Sequence, residues 1–75
     1  MNWREHIAVD PQILHGTACF KGTRIPVAVV LDNLAAGVSE DDLRSEYPTL
    51  PENAVAAAIA YAAELAKEQV LDLPA

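Results

Sequence analysis

Three side chains of this sequence, His6, His15 and Cys19, are of types that bind metal ions or form a nucleophile pair. Their spacing fits no compact zinc pattern, and a fourth ligand would have to be an acid. A cysteine–histidine pair needs a site that excludes water, and a chain of 75 residues offers little depth for one. We therefore predict no metal, no cofactor and no catalysis, and we interpret Cys19 as a buried structural residue.

The segment Lys21-Gly22-Thr23-Arg24 has the clearest binding chemistry. A glycine-containing loop with two cations and a hydroxyl can contact phosphate groups through backbone N–H groups and side chains together. The alternative is a hairpin whose two cations pair with acidic helices of the same chain. Both interpretations stay open at this point, and Lys21, Thr23 and Arg24 are candidate DNA-binding residues.

The acidic run Glu40-Asp41-Asp42 has only a superficial likeness to a magnesium site. Adjacent helical positions point in different directions, so these carboxylates are poorly placed to share one ion. Ser39 stands three residues before Asp42, which is a capping-box pattern, and acids favour the positive end of a helix. The run therefore predicts the start of a helix.

The residues before Pro26 predict short extended segments. Residues 3–9 alternate as a strand does, and the following Asp-Pro pair breaks the pattern. Residues 12–15 could form one helical turn, and residues 18–25 predict a second extended segment that a glycine interrupts.

The rest of the chain predicts three helices. The first begins at Pro26 and ends at Gly37, and the second covers about residues 40–47. A second capping box, Thr49 with Glu52, predicts a third helix that reaches to about residue 69.

These elements predict one mainly α domain over residues 1–75. Two short helices, a tight proline-containing turn and a longer third helix have the proportions of a helix-turn-helix unit. The expected fold class is thus a three-helix, homeodomain-like core at residues 26–70, preceded by short β segments within residues 1–25.

The third predicted helix has more apolar surface than one small core requires. We predict that its second apolar stripe holds two copies of the chain together, because a core of this size often needs support from a second subunit. The alternative is that the alanines are present for their helix propensity. The predicted dimer interface consists of Ala54, Ala58, Tyr61 and Leu65.

The polar positions of the same helix suggest two further contacts. Glu64 and Glu68 lie on its polar arc and are predicted to bind a protein partner. Asn53, at its start, could bond an adenine, although capping the helix is the more usual role of asparagine there. The first turns otherwise offer few side chains that read base edges.

The charge of the chain is unevenly distributed. The net charge is -6, but residues 1–26 carry three cations against two acids, whereas residues 27–75 carry two cations against nine acids. An anion-binding surface therefore belongs to the first third, and the remainder suits a basic partner. A single cysteine and the lack of a long apolar run favour the cytoplasm.

Several motifs at characteristic distances resemble the bacterial family called domain of unknown function 433. The resemblance covers residues 7–65 and includes Asp10-Pro11, Phe20-Lys21-Gly22-Thr23-Arg24-Ile25-Pro26-Val27, Leu34-Ala35-Ala36-Gly37-Val38-Ser39, Glu46-Tyr47-Pro48 and Ala57-Ala58-Ile59-Ala60-Tyr61-Ala62. The most specific piece is Lys-Gly-Thr-Arg-Ile-Pro-Val. The chain departs from the family near Thr17 and Ala18, where members often carry glycine and proline.

The resemblance implies a function as well as a fold. It implies a helix-turn-helix antitoxin of a two-gene toxin–antitoxin pair whose toxin is a PIN-like ribonuclease, with operator DNA as a second expected ligand. It implies no catalytic residue. The alternative is a stand-alone helix-turn-helix transcriptional regulator.

Overall fold

A computed structural model describes residues 1–12 and 16–68 of the chain. The described part contains three α-helices and a small two-stranded sheet at the N-terminal end, which confirms the predicted fold class. The elements are a 3-10 turn at Trp3–Glu5, strands β1 at Ile7–Val9 and β2 at Ala18–Phe20, and helices α1 at Val27–Ala35, α2 at Glu40–Glu46 and α3 at Ala54–Glu68. Most of the helical turn predicted at 12–15 lies outside the described residues.

Only the second half of the first predicted strand, Ile7–Val9, is extended. The side chain of Asn2 accepts a hydrogen bond from the backbone N–H of Arg4, and the N–H of His6 bonds the carbonyl of Trp3, which closes a 3-10 turn. Extended structure starts at Ile7, where β1 pairs with β2 in antiparallel register, with Ile7 opposite Phe20. Local hydrogen bonding by Asn2 therefore replaces the strand over residues 3–5.

A tight turn joins β2 to the first helix. Gly22 has a φ of +78°, which side-chain-bearing residues rarely adopt, and Thr23 bonds the backbone on both sides of it. The predicted second extended segment, residues 18–25, is therefore regular only up to Phe20. Pro26, at φ -65°, then stands immediately before α1.

The signals for the first two helices work as predicted. The N–H of Gly37 bonds the carbonyl of Leu34 and the N–H of Val38 bonds that of Asn33, a Schellman ending with Gly37 at φ +86°. Ser39 Oγ accepts the N–H of Asp42 at 3.1 Å and so caps α2.

Helix α3 starts at Ala54, five residues after Thr49, the predicted capping residue. Residues 47–53 form an irregular connection between α2 and α3, in place of the predicted tight turn. The guanidinium of Arg44 donates to the carbonyls of Leu50 and Glu52 and holds this connection against α2. The prediction of a capping box at Thr49 is wrong, because Arg44 and the buried Leu50 determine the path of the chain here.

The core lies between the sheet and the three helices. The large buried side chains come from the sheet, α1, α2 and the connection before α3. Helix α3 contributes buried alanines, which let the helices approach closely. The buried apolar residues of this core are Ile7, Phe20, Val27, Val30, Leu43, Leu50, Ala54, Ala57 and Ala58. Over the described residues, no helix has the length and apolarity that crossing a membrane requires.

Candidate functional site

The turn after β2 presents two exposed cations, Lys21 and Arg24. Neither forms an ion pair within 4 Å with any acid whose side chain the structure describes. Of the two interpretations of this segment, the structure thus gives no support to the hairpin whose cations pair with acidic helices. A small open cavity of about 110 Å³ lies beside the turn, lined in part by Lys21, Cys19 and Asp10. We call Lys21 and Arg24 the cationic turn.

Thr23 and Asn53 do not add hydrogen-bonding groups to the cationic turn. The hydroxyl of Thr23 donates to the carbonyl of Phe20 at 2.8 Å and accepts the N–H of Ile25 at 3.1 Å. It therefore shapes the turn, and its contact with DNA stays a prediction. Asn53 is exposed directly before α3, where its carbonyl accepts the N–H of Ala57.

Half of the predicted dimer interface lies inside a single chain. Ala54 and Ala58 are completely inaccessible to solvent, because they pack in the core that α3 shares with the other elements. Tyr61 is partly buried, and its ring meets the edge of Trp3 at a centroid distance of 4.9 Å. Leu65 alone of the four is exposed, at 44 %. Ala54 and Ala58 are therefore not accessible to a second copy, whereas the roles of Tyr61 and Leu65 in a dimer interface stay predictions.

Glu64 is engaged within the chain. One carboxylate oxygen accepts a hydrogen bond from the indole N–H of Trp3, and the other lies 2.9 Å from Nη2 of Arg4. The guanidinium of Arg4 also lies 4.5 Å from the centroid of the Trp3 ring. The hydrogen bonds from Arg4 and then Trp3 hold the pKa of the Glu64 carboxyl below its usual value.

This group of Trp3, Arg4 and Glu64 joins the N-terminal turn to α3. Glu64 thus has partners within the chain, and its contact with a protein partner stays a prediction. The side chain of Glu68, the other predicted contact, lies outside the described residues. The sequence gives no local signal for this group, because sixty residues separate Arg4 from Glu64.

Helix α2 carries a group of exposed acids. Asp41, Asp42 and Glu46 are exposed and form no ion pair among the described residues, whereas Glu40 pairs with Arg44 at 3.0 Å. Leu43 is fully buried, and Asp41 lies almost opposite it on this short helix. Asp42 and Glu46, four residues apart, share one exposed flank. We call Asp41, Asp42 and Glu46 the acidic surface. The first two belong to the run that predicts the start of α2.

Of the three candidate metal and nucleophile residues, the structure describes His6 and Cys19. Cys19 is buried in β2 opposite Ala8, and His15 lies outside the described residues. Over residues 1–12 and 16–68, no three histidine, cysteine or acidic side chains lie close enough together to hold a metal ion.

Comparison with known proteins finds one family and two relatives. Residues 7–62 match the family described as protein of unknown function, DUF433. The uncharacterized protein y4eO of Sinorhizobium fredii (strain NBRC 101917 / NGR234) is 37 % identical over 59 residues, which are 79 % of this chain. The chain spans only 27 % of that relative's length.

The fold has a counterpart in a solved structure. The crystal structure of a DUF433 member protein from Anabaena variabilis ATCC 29413 superposes with a TM-score of 0.72 at 27 % sequence identity. The similarity covers 83 % of this chain and 61 % of that one. With a family match over most of its length and a structural neighbour from the same family, this chain belongs to the DUF433 family.

Proposed function

We propose that this protein acts by binding, as the antitoxin-like member of a toxin–antitoxin pair that neutralises a PIN-like ribonuclease in the cytoplasm. The observation that carries the proposal is the acidic surface, three exposed carboxylates on α2 that no described cation neutralises. The class of the partner rests on the resemblance of the motifs at Lys21–Val27 and Gly37–Pro48. The chain needs no catalytic group for this function.

The electrostatics of α2 suit a nuclease partner. A ribonuclease must present a positive groove to the phosphates of RNA, and a negative surface of similar reach can occupy the same groove. Helix α2 already fixes the backbone that carries the acidic surface. Binding therefore costs little conformational entropy beyond that of the carboxylate side chains. Complementary charge of this kind speeds the encounter more than it strengthens the final complex.

Inhibition of the nuclease tests the proposal. The experiment is a titration of the purified ribonuclease encoded beside this chain, with RNA cleavage and complex formation as readouts. We expect inhibition by the parent protein and an association rate roughly tenfold lower for the double variant Asp42→Asn, Glu46→Gln. Neutral isosteres keep the size and shape of both side chains, and Ser39 still caps α2 in the variant.

A matched control separates local from overall charge. The variant Glu5→Gln, Asp10→Asn loses the same two charges at exposed positions outside α2 and should associate as the parent does. If the parent in molar excess leaves cleavage unchanged, or if both double variants slow association equally, the antitoxin proposal fails.

The cationic turn supports a second, weaker activity, which is binding to operator DNA. Removing Lys21 and Arg24 by substitution with glutamine should lower the affinity for duplex DNA and reduce the magnitude of the log–log salt slope by roughly 0.9 per lost contact. A control variant, Ala28→Glu with Thr49→Glu, changes the net charge by the same amount at exposed positions outside the turn. Fluorescence anisotropy over a series of salt concentrations measures both quantities.

The outcome also decides between the two candidate functions. DNA binding that depends on the cationic turn, together with no effect on the nuclease, would favour a stand-alone transcriptional regulator. Equal DNA affinity and equal salt slope for the parent and the glutamine variant would show that the cationic turn does not take part in DNA binding.

A further inference from the structure

One side of α3 is apolar and is not covered by the other residues that the structure describes. Ala56 and Ala63 are exposed, Ile59 is 54 % exposed and Ala60 is half-buried. Their spacing of three or four residues places them on one side of the helix, whereas the buried alanines of α3 face the core. We call Ala56, Ile59, Ala60 and Ala63 the outer face of α3. It offers one large apolar side chain with small neighbours that allow close approach.

The outer face has the symmetry of a two-fold contact. Ala56 and Ala63 lie at equal distances along the chain from the midpoint between Ile59 and Ala60. Two copies of α3 related by a two-fold axis at that midpoint run antiparallel, and each Ala56 then meets Ala63 of the second copy. A patch that makes a closed dimer must be self-complementary in this way.

Charges at the two ends of the outer face select the same arrangement. Glu52 and Lys67 are both exposed, form no ion pair among the described residues, and are also equidistant from the midpoint between Ile59 and Ala60. Glu52 lies two residues before α3, so antiparallel helices bring it beside Lys67, near the end of α3 in the other copy, twice in each dimer. Parallel helices would instead place like charges side by side.

We propose that the outer face of α3 binds a second copy of this chain in an antiparallel helix pair, closed at each end by Glu52 and Lys67. This dimer does not depend on the proposed toxin. A single helix pair buries less surface than the ~1,600 Å² of a standard interface, so the dimer is reversible and forms at micromolar concentrations.

Sedimentation of the full chain over a range of concentrations tests the dimer. The variant Ile59→Lys places a charge in the centre of the seam and should raise the dimer dissociation constant by roughly tenfold or more. The control Leu65→Lys makes the same change at a similarly exposed apolar residue of α3 that lies off the outer face, and it should leave the constant unchanged. Circular dichroism checks that both variants remain folded.

Charge reversal tests the direction of the helices. Lys67→Glu should weaken the dimer several-fold, because it opposes two acids at each end, and adding Glu52→Lys should restore it. A parent protein that stays monomeric throughout, equal effects of Ile59→Lys and Leu65→Lys, or no recovery in the double variant would overturn the proposal. So would a monomer whose outer face binds only a different protein.

Discussion

Replacing Phe20 with alanine is expected to leave most of the protein unfolded at 25 °C. Phe20 is 1 % exposed and joins the sheet to the helices within one core cluster. Truncating a buried phenylalanine costs ~3–5 kcal/mol, and a lone core of this size seldom supplies more than ~3–5 kcal/mol in total. Urea unfolding followed by the fluorescence of the single tryptophan, Trp3, and by circular dichroism measures the loss.

A second truncation on the same sheet provides the control. Val9 in β1 is 59 % exposed, so Val9→Ala should change the free energy of unfolding by less than ~0.5 kcal/mol. An unfolding midpoint for Phe20→Ala close to that of Val9→Ala would contradict the role of β2 as the layer that closes the core.

The parts of the fold that could be predicted are those with local causes. Helix α2 begins where Ser39 can cap it, and α1 ends where Gly37 can adopt a positive φ. Each cause acts within a few residues of the boundary that it determines. The family resemblance has the same basis, since its motifs include these turn residues.

The helix and strand boundaries that were predicted wrongly depend on side-chain hydrogen bonds that compete with the local sequence pattern. Thr49 and Glu52 offered a good capping box, but Arg44 bonds the carbonyls of Leu50 and Glu52 and keeps those residues out of α3. At the N-terminus, the side chain of Asn2 stabilises a 3-10 turn where the alternating pattern indicated a strand. In both places a side-chain hydrogen bond to the backbone outweighs the local pattern.

The candidate binding residues depended even more on tertiary contacts. A periodic pattern shows that α3 has two apolar sides but does not show which of them the other elements cover. The alanines assigned to an interface are the ones that the core covers, while Ile59 on the opposite side is exposed. Glu64 resembled a free surface acid until the fold brought Trp3 and Arg4 to it.

Because Ala58 is buried in the core, we expect a larger side chain at this position to destabilise the protein. Ala58→Leu should lower the free energy of unfolding by ~1–3 kcal/mol, because three extra carbon atoms must enter a closely packed core. The exposed Ala66 on the same helix is the control, and Ala66→Leu should be nearly neutral. Urea unfolding at a protein concentration well below the dimer dissociation constant measures both changes without a contribution from dimers.

The size of this loss bears on how α3 is held. If Ala58 faced a second copy, leucine there would change the dimer dissociation constant and leave the stability of the monomer unaltered. If it packs inside the chain, the loss appears at every concentration, because the disturbed contact is between α3 and its own core. Equal stabilities for Ala58→Leu and Ala66→Leu would contradict the packing of α3 on the core, and with it the assignment of the outer face.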